Sequence, residues 1–160
     1  MRVGQGFDAH RFADGRKLVL GGVEIDHHRG LEGHSDADVL THAIIDALLG
    51  AAGLGDIGMH FPDTDPAYKD ASSIGLFKIV CEAIEDLGYH IVNVDATIVA
   101  EEPRLSRYKP AMVASIASAA AIEPEQVNVK ATTTERMGFA GRGEGIAAFC
   151  VILLERGRQR

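Results

Sequence analysis

Ser35-Asp36-Ala37-Asp38-Val39-Leu40-Thr41-His42-Ala43-Ile44-Ile45-Asp46-Ala47-Leu48-Leu49 is the stretch whose period organises the rest of the chain. Leu40, Ala43, Ile44, Ala47, Leu48 and Ala51 fall on one face at a spacing of three and four, which predicts an amphipathic helix over residues 35–49. Ser35 or Asp36 is the expected N-cap, because a short oxygen-bearing side chain there accepts from an otherwise unpaired backbone N–H. Ile45 and Leu49 lie opposite this stripe, beside His42 and Asp38. A helix that is apolar on two faces is buried on both. In a chain this small the second cover is expected to be another subunit, which predicts an oligomer whose interface borders the polar residues.

Toward the N-terminus, residues 1–7 read as a strand, and residues 17–25 as a hairpin turning on Gly21-Gly22. Toward the C-terminus, residues 53–71 are rich in Gly, Asp and Pro without a period, the mark of a long functional loop. Residues 73–87 read as a second helix, with Gly88 placed to end it in a left-handed turn. Residues 91–99 alternate as a strand before Pro103. Residues 108–121 form a third helix, with Pro110 in its first turn, and residues 127–132 and 146–154 complete the set as strands. This alternation predicts one α/β domain over residues 1–160, of the α+β two-layer kind, in which helices pack on one face of a mixed sheet. Strand order is not derivable from the pattern.

Composition narrows the function. With 160 residues and 46% hydrophobic content, the chain can bury one core without crosslinks. Cys81 and Cys150 sit in apolar runs and read as reduced core residues. A formal charge of −7 argues against a nucleic-acid surface, which needs a concentrated positive field. The basic run Arg156, Arg158, Arg160 reads as a solvated tail. Near Met1 no basic segment leads into a long apolar one, so neither secretion nor membrane insertion is expected and the location is read as cytoplasmic.

The chemistry concentrates in a few clusters. Asp8 and His10, two apart on a strand, project from the same face, and His42 would complete a carboxylate and two imidazoles, a set that leaves one zinc position open. Asp38 or Asp46, one turn either side of His42, is expected to accept its free ring N–H and so fix its orientation. Ser35 and His34 stand at a helix N-terminus, where an anion is favoured. Lys130-Ala131-Thr132-Thr133-Thr134-Glu135-Arg136 brings hydroxyls, backbone donors and an acid together after a strand, a group that can cradle a phosphate while its carboxylate holds Mg²⁺. The glycine-rich run that follows, with Phe139 and Arg142, lacks the spacing of a nucleotide-binding fold. Asp56, Ile57 and Gly58, with Phe61, Pro62, Asp63, Thr64 and Asp65, place carboxylates in the long loop, either on sugar hydroxyls or on their own backbone.

Together, Gly4-Gln5-Gly6-Phe7-Asp8-Ala9-His10, His34-Ser35-Asp36-Ala37-Asp38-Val39-Leu40-Thr41-His42, Gly55-Asp56-Ile57-Gly58, Phe61-Pro62-Asp63-Thr64-Asp65-Pro66 and Ala131-Thr132-Thr133-Thr134-Glu135 resemble the 2-C-methyl-D-erythritol 2,4-cyclodiphosphate synthase family across essentially the whole chain. The resemblance implies a homotrimer with active sites between subunits. It implies zinc on Asp8, His10 and His42, and Mg²⁺ or Mn²⁺ on Glu135. It implies His34 and Thr133 as catalytic hydrogen-bond donors. The substrate it implies is a cytidine diphosphate sugar-alcohol phosphate, whose sugar lies against Asp56, Ile57, Gly58, Phe61, Pro62, Asp63, Thr64 and Asp65. The cytidine is expected against Ala100, Glu101, Glu102, Pro103, Arg104, Leu105, Ser106 and Thr132 of an adjoining chain, with Thr134, Phe139 and Arg142 nearby. Read from the residues alone, two alternatives stay open: a zinc-dependent phosphohydrolase that makes hydroxide from metal-bound water, and a noncatalytic module braced by zinc.

Overall fold

The chain's computed structural model describes residues 1–157, so Arg158 and Arg160 of the basic tail lie outside the described residues. Strand β1 (Arg2–Ala13) is followed by the short strands β2 (Leu18–Leu20), β3 (Val23–Ile25) and β4 (Gly30–Leu31) and by helix α1 (Val39–Ala52). Then come helices α2 (Ile57–His60) and α3 (Ser73–Asp86), strand β5 (Tyr89–Val99), helix α4 (Lys109–Ala119), strand β6 (Val127–Thr132), the single turn α5 (Gly138–Gly141) and strand β7 (Gly145–Arg156). Five strands form a mixed sheet in the order β4-β1-β7-β5-β6, with β5 and β6 parallel and the other pairs antiparallel. The expected two-layer architecture is therefore present. The hairpin β2-β3 forms a separate two-stranded sheet rather than extending the main one. It turns on Gly21 and Gly22, whose positive φ of 60° and 73° suits a two-residue turn between twisted strands.

Helix α1 is the axis of the core. Ten of its fourteen residues are buried, Ile45 and Leu49 among them. The second apolar face expected against another subunit is covered inside the chain, since β1 and β7 lie on one side of α1 and α3 on another. Only His42, Asp46, Gly50 and Ala52 retain exposure, and the first three, four residues apart, form one stripe along the helix. That stripe is where the fold leaves α1 open to the outside.

Two glycines set the distance between α1 and the sheet. A methyl at Gly4 would lie 1.9 Å from the Ala47 carbonyl oxygen, and one at Gly6 would lie 2.0 Å from that of Ala43. Only a strand without side chains at these positions lets the helix backbone come so near, and this approach brings His42 within reach of β1. The opposite face of the sheet carries an open apolar patch on β1 and β7, where Val3, Phe7, Phe149 and Val151 are all exposed and the Phe7 and Phe149 rings lie 4.8 Å apart, and it turns polar toward β6 with the Asp95–Lys130 pair. Cys81 and Cys150 are buried and unpaired, as expected of core thiols, and burial pushes both up to about 12.

Candidate metal centre and active site

Helix α1 begins at Val39, later than expected, and its N-cap is Asp38 rather than Ser35 or Asp36. The reason is tertiary. Asp38 is completely buried, and its two oxygens accept from the backbone N–H and hydroxyl of Thr41 and from the amides of Gly21 and Gly22 in the hairpin turn. Four donors reach the Asp38 carboxylate, more than reach either expected cap, though burial still leaves its carboxyl above the usual value. It ties hairpin to helix and is not available to His42.

Asp8 and His10 project from β1 toward α1 and meet His42. Asp8 Oδ2 lies 2.9 Å from His10 Nε2 and 3.0 Å from His42 Nδ1, and the two imidazole nitrogens are 3.2 Å apart. Four ligands at zinc distances of about 2.0–2.1 Å in a tetrahedron stand about 3.3 Å from one another, so this triangle has nearly the edge lengths one ion requires. The outer ring nitrogens are engaged elsewhere: His10 Nδ1 donates to the Glu32 carbonyl oxygen at 2.6 Å, and His42 Nε2 lies 2.8 Å from Ser73 Oγ and 3.2 Å from Ser35 Oγ. The inner nitrogens therefore present lone pairs to one point. A cation or a proton must sit among them, and the residues fit a divalent metal.

The electrostatics agree. With protons rather than an ion on the inner ring nitrogens, burial raises the Asp8 carboxyl, but hydrogen bonds and charge from His10 and His42 outweigh it and hold the group well below the usual carboxylate range. Burial lowers His10, yet its bonds to Asp8 and the Glu32 carbonyl leave it above the usual imidazole value. Each shift is what a negative carboxylate between two imidazoles produces.

Neither carboxylate expected to orient His42 does so. Asp38 is committed to its cap, and Asp46 accepts from the Ile57 N–H at 2.8 Å, anchoring the start of α2. Burial and the nearby charges of Asp56 and Asp8 push Asp46 upward. Ser73, the first residue of α3, takes the place expected for a carboxylate, and sequence reasoning misses it because a serine at a helix start reads as an ordinary cap.

The triangle opens into a cavity of about 420 Å³, lined by His10, Gly33, His34, Ser35, His42, Ile57, Gly58, Phe61, Pro62, Asp63, Tyr68 and Leu76. Most of the loop residues expected around a sugar thus gather here. Asp56 caps α2 by accepting from Met59 N–H. The Asp65 side chain caps the turn at Pro66–Tyr68, while its carbonyl lies 3.2 Å from His34 Nε2. Thr64 is exposed on the same loop.

The second group of expected residues lies elsewhere. Ala9, Ala147, Val99 and Thr132 pair in one row across β1, β7, β5 and β6. Three strand spacings of about 4.8 Å put the end of β6 roughly 14 Å from the metal centre along the sheet. There Thr133 Oγ1 donates to Glu135 Oε1 at 3.1 Å, while Glu135 and Arg136 both adopt positive φ. Glu101, expected against cytidine, is occupied in holding this loop: its Oε1 accepts from the amides of Thr134 and Arg136, each at 3.0 Å, and from the Thr134 hydroxyl. Ala100 and Leu105 are buried, leaving mainly backbone at those positions, whereas Glu102, Arg104 and Ser106 reach the surface. Phe139 is exposed beside the bidentate Arg142–Glu144 pair, and a second cleft of about 580 Å³ runs from Phe139 and Glu144 to residues 9–12 of β1.

A family model described as the YgbB family matches residues 1–155. The chain belongs to the YgbB family. A 2-C-methyl-D-erythritol 2,4-cyclodiphosphate synthase of Geotalea daltonii is 62% identical over 156 residues, covering 98% of this chain and 91% of that protein. Among solved structures, the bifunctional IspDF from Campylobacter jejuni superposes with a TM-score of 0.94 at 44% identity, over 97% of this chain and 42% of that longer one. A CDP-bound form of 2C-methyl-D-erythritol-2,4-cyclodiphosphate synthase superposes with a TM-score of 0.88 at 34% identity, over 96% of this chain and all of that one. Family membership thus agrees with the resemblance carried by the motifs. No helix among the described residues is long and apolar enough to cross a membrane.

Proposed function

We propose that this chain converts 4-diphosphocytidyl-2-C-methyl-D-erythritol 2-phosphate to 2-C-methyl-D-erythritol 2,4-cyclodiphosphate with release of CMP, a step of the non-mevalonate isoprenoid pathway. The observation that carries this reading is the Asp8–His10–His42 triangle opening into a sugar-sized cavity in a chain 62% identical to a synthase of that name. In the reaction an oxygen of the 2-phosphate attacks the β-phosphorus, and the bond from that phosphorus to the CMP oxygen breaks. Two anions must approach and a third must leave, so positioning and charge neutralisation account for the rate and no covalent nucleophile is needed. Zinc on Asp8, His10 and His42, with Mg²⁺ or Mn²⁺ on Glu135, would supply charge neutralisation and orient the phosphoryl oxygens.

The chain's own residues do the rest. His34 and Ser35 line the cavity, where they would donate to phosphate oxygens, and Thr133 offers a hydroxyl on the far loop. Asp56, Ile57, Gly58 and the segment with Phe61, Pro62, Asp63 and Asp65 enclose the methylerythritol, while Thr132 and the backbone of residues 100–106 receive cytidine. The separation of roughly 14 Å between the two groups within one chain supports a homotrimer in which each active site takes the metal centre of one subunit and the Thr132, Thr133, Thr134 and Glu135 loop of the next. The apolar patch on the outer face of the sheet, with Val3, Phe7, Phe149 and Val151 exposed, supports the same assembly. A cytoplasmic enzyme is the matching location.

Phosphorus NMR of the purified chain with substrate, Zn²⁺ and Mg²⁺ tests the reaction. A cyclic diphosphate and CMP are expected. A linear product with inorganic phosphate identifies a hydrolase instead, and a chain that unfolds on chelation and never turns over identifies a zinc-braced module. Mixing inactive His42→Ala and Glu135→Ala subunits tests the shared site, because mixed trimers regain activity only if the two residues act across an interface.

A further inference from the structure

A neutral imidazole has one N–H and one lone pair, and a histidine can ligate a metal through Nδ1 only if the hydrogen sits on Nε2. In His42 that choice is settled two residues away. Nε2 lies 2.8 Å from Ser73 Oγ. The Ser73 hydroxyl is itself hydrogen-bonded to Asp36 Oδ1. A carboxylate oxygen accepts, so the Ser73 hydrogen points to Asp36, and the Ser73 lone pairs are left to receive the Nε2 hydrogen of His42. Asp36 cannot swing away, because its Oδ2 accepts from Ser73 N–H at 3.1 Å and its Oδ1 from Asp38 N–H at 3.2 Å. Ser73 is wholly buried, so water does not compete for its hydroxyl. Ser35 Oγ, 3.2 Å from Nε2, also accepts from Ala37 N–H, which keeps it beside the same nitrogen.

We propose that Asp36 and Ser73 form a hydroxyl-bridged relay that fixes His42 in its Nε2–H tautomer and so holds the Nδ1 lone pair at the Asp8–His10 edge, ready for the metal. Both are positioning residues and neither touches the ion. The inference rests on the metal reading above. It also explains why the start of α3 packs against the turn before α1: the contact carries a proton assignment as well as apolar burial. A carboxylate that orients a ligating imidazole directly is the usual arrangement. Here a serine extends its reach.

The test uses the full chain labelled with ¹⁵N-histidine. In the metal-free wild type at mildly alkaline pH, long-range ¹H–¹⁵N correlation is expected to show His42 protonated at Nε2 and bare at Nδ1. Ser73→Ala is expected to give a mixture of tautomers and, in chelator competition, zinc binding weaker by about 10- to 100-fold. Asp36→Asn is expected to weaken zinc binding similarly, and the double variant to be no worse than Ser73→Ala alone. A hydrogen on Nδ1 of His42 in the wild type overturns the relay, as does a Ser73→Ala chain with unchanged tautomer and zinc affinity. A wild type that binds no zinc defeats the metal reading, and the tautomer spectrum then still decides the relay. Should the variants fail to fold, the wild-type spectrum alone supports the relay or overturns it.

Discussion

Replacing Gly6 by alanine tests whether the approach of α1 to β1 is what assembles the metal centre. The added methyl would lie 2.0 Å from the Ala43 carbonyl oxygen and 2.7 Å from the Ala47 nitrogen, where contacts under 3.0 Å do not occur. Both obstacles are backbone, so no rotamer change relieves them, and strand and helix must part by about 1 Å. His42 immediately precedes Ala43 and moves with it, whereas Asp8 and His10 stay with the strand. A ligand triangle of 2.9 to 3.2 Å edges tolerates only a few tenths of an ångström before one ligand is lost. Overpacking of this kind costs about 1–3 kcal/mol, a fall in Tm of roughly 3–10 °C for a domain of this size at fixed protein concentration. We expect Gly6→Ala to show that fall and to bind zinc at least about tenfold more weakly in chelator competition. Gly50→Ala is the control: it lies on the same helix with nothing nearer than the Gln5 carbonyl at 4.0 Å, so it should gain up to about 1 kcal/mol from helix propensity and leave zinc binding unchanged. Wild-type stability and zinc affinity in Gly6→Ala would refute the reasoning.

Asp38→Ala strands three buried donors, the amides of Gly21 and Thr41 and the Thr41 hydroxyl, and the part-buried amide of Gly22. It should cost about 3–5 kcal/mol in chemical denaturation, and a loss under about 1 kcal/mol contradicts its role as the tie between hairpin and helix. Glu135→Gln should raise the Mg²⁺ concentration for half-maximal turnover by on the order of tenfold while zinc binding is unaffected; an unchanged Mg²⁺ titration removes Glu135 from the reaction. Glu101 is held below the ordinary carboxylate value by hydrogen bonds from the Arg136 and Thr134 amides and the Thr134 hydroxyl. Because its folded value is depressed, its ordering of the loop is fully present above the ordinary glutamate range, about 4.3, and is lost as pH falls through the lowered value. The Thr134 and Arg136 amide resonances should therefore hold steady from neutral pH down to about 5 and shift only below the ordinary range. At neutral pH Glu101→Gln should expose these amides to exchange without affecting β6, and identical exchange in variant and wild type would show that the loop orders itself.

The convergence of Asp8, His10 and His42 was legible in the sequence because the signals are local. Period two puts Asp8 and His10 on one face of a strand, and a histidine in a helix otherwise made of Leu, Ile and Ala has few reasons to be there except a partner across the packing. What the sequence could not supply was the assignment of partners. Ser35, Asp36 and Asp38 fall within four residues, all are good N-caps, and local chemistry does not rank them. The ranking comes from the hairpin, which delivers the Gly21 and Gly22 amides to Asp38 alone, and from α3, which delivers Ser73 to Asp36. The same limit explains why the cover of the second face of α1 is misread. Ile45 and Leu49 do mark a second buried face, but a helical wheel cannot tell cover by α3 from cover by a neighbour. The surface that the fold leaves bare is on the sheet, where alternation in β1 and β7 puts Val3, Phe7, Phe149 and Val151 away from α1. Since β1 carries both sets, its even residues Asp8 and His10 toward His42 and its odd residues Val3 and Phe7 toward the open face, a shift of one residue in its pairing with β7 would exchange them. The Asp8–His10–His42 triangle and the open apolar patch are thus fixed by a single register, and a variant that slips it must lose both together.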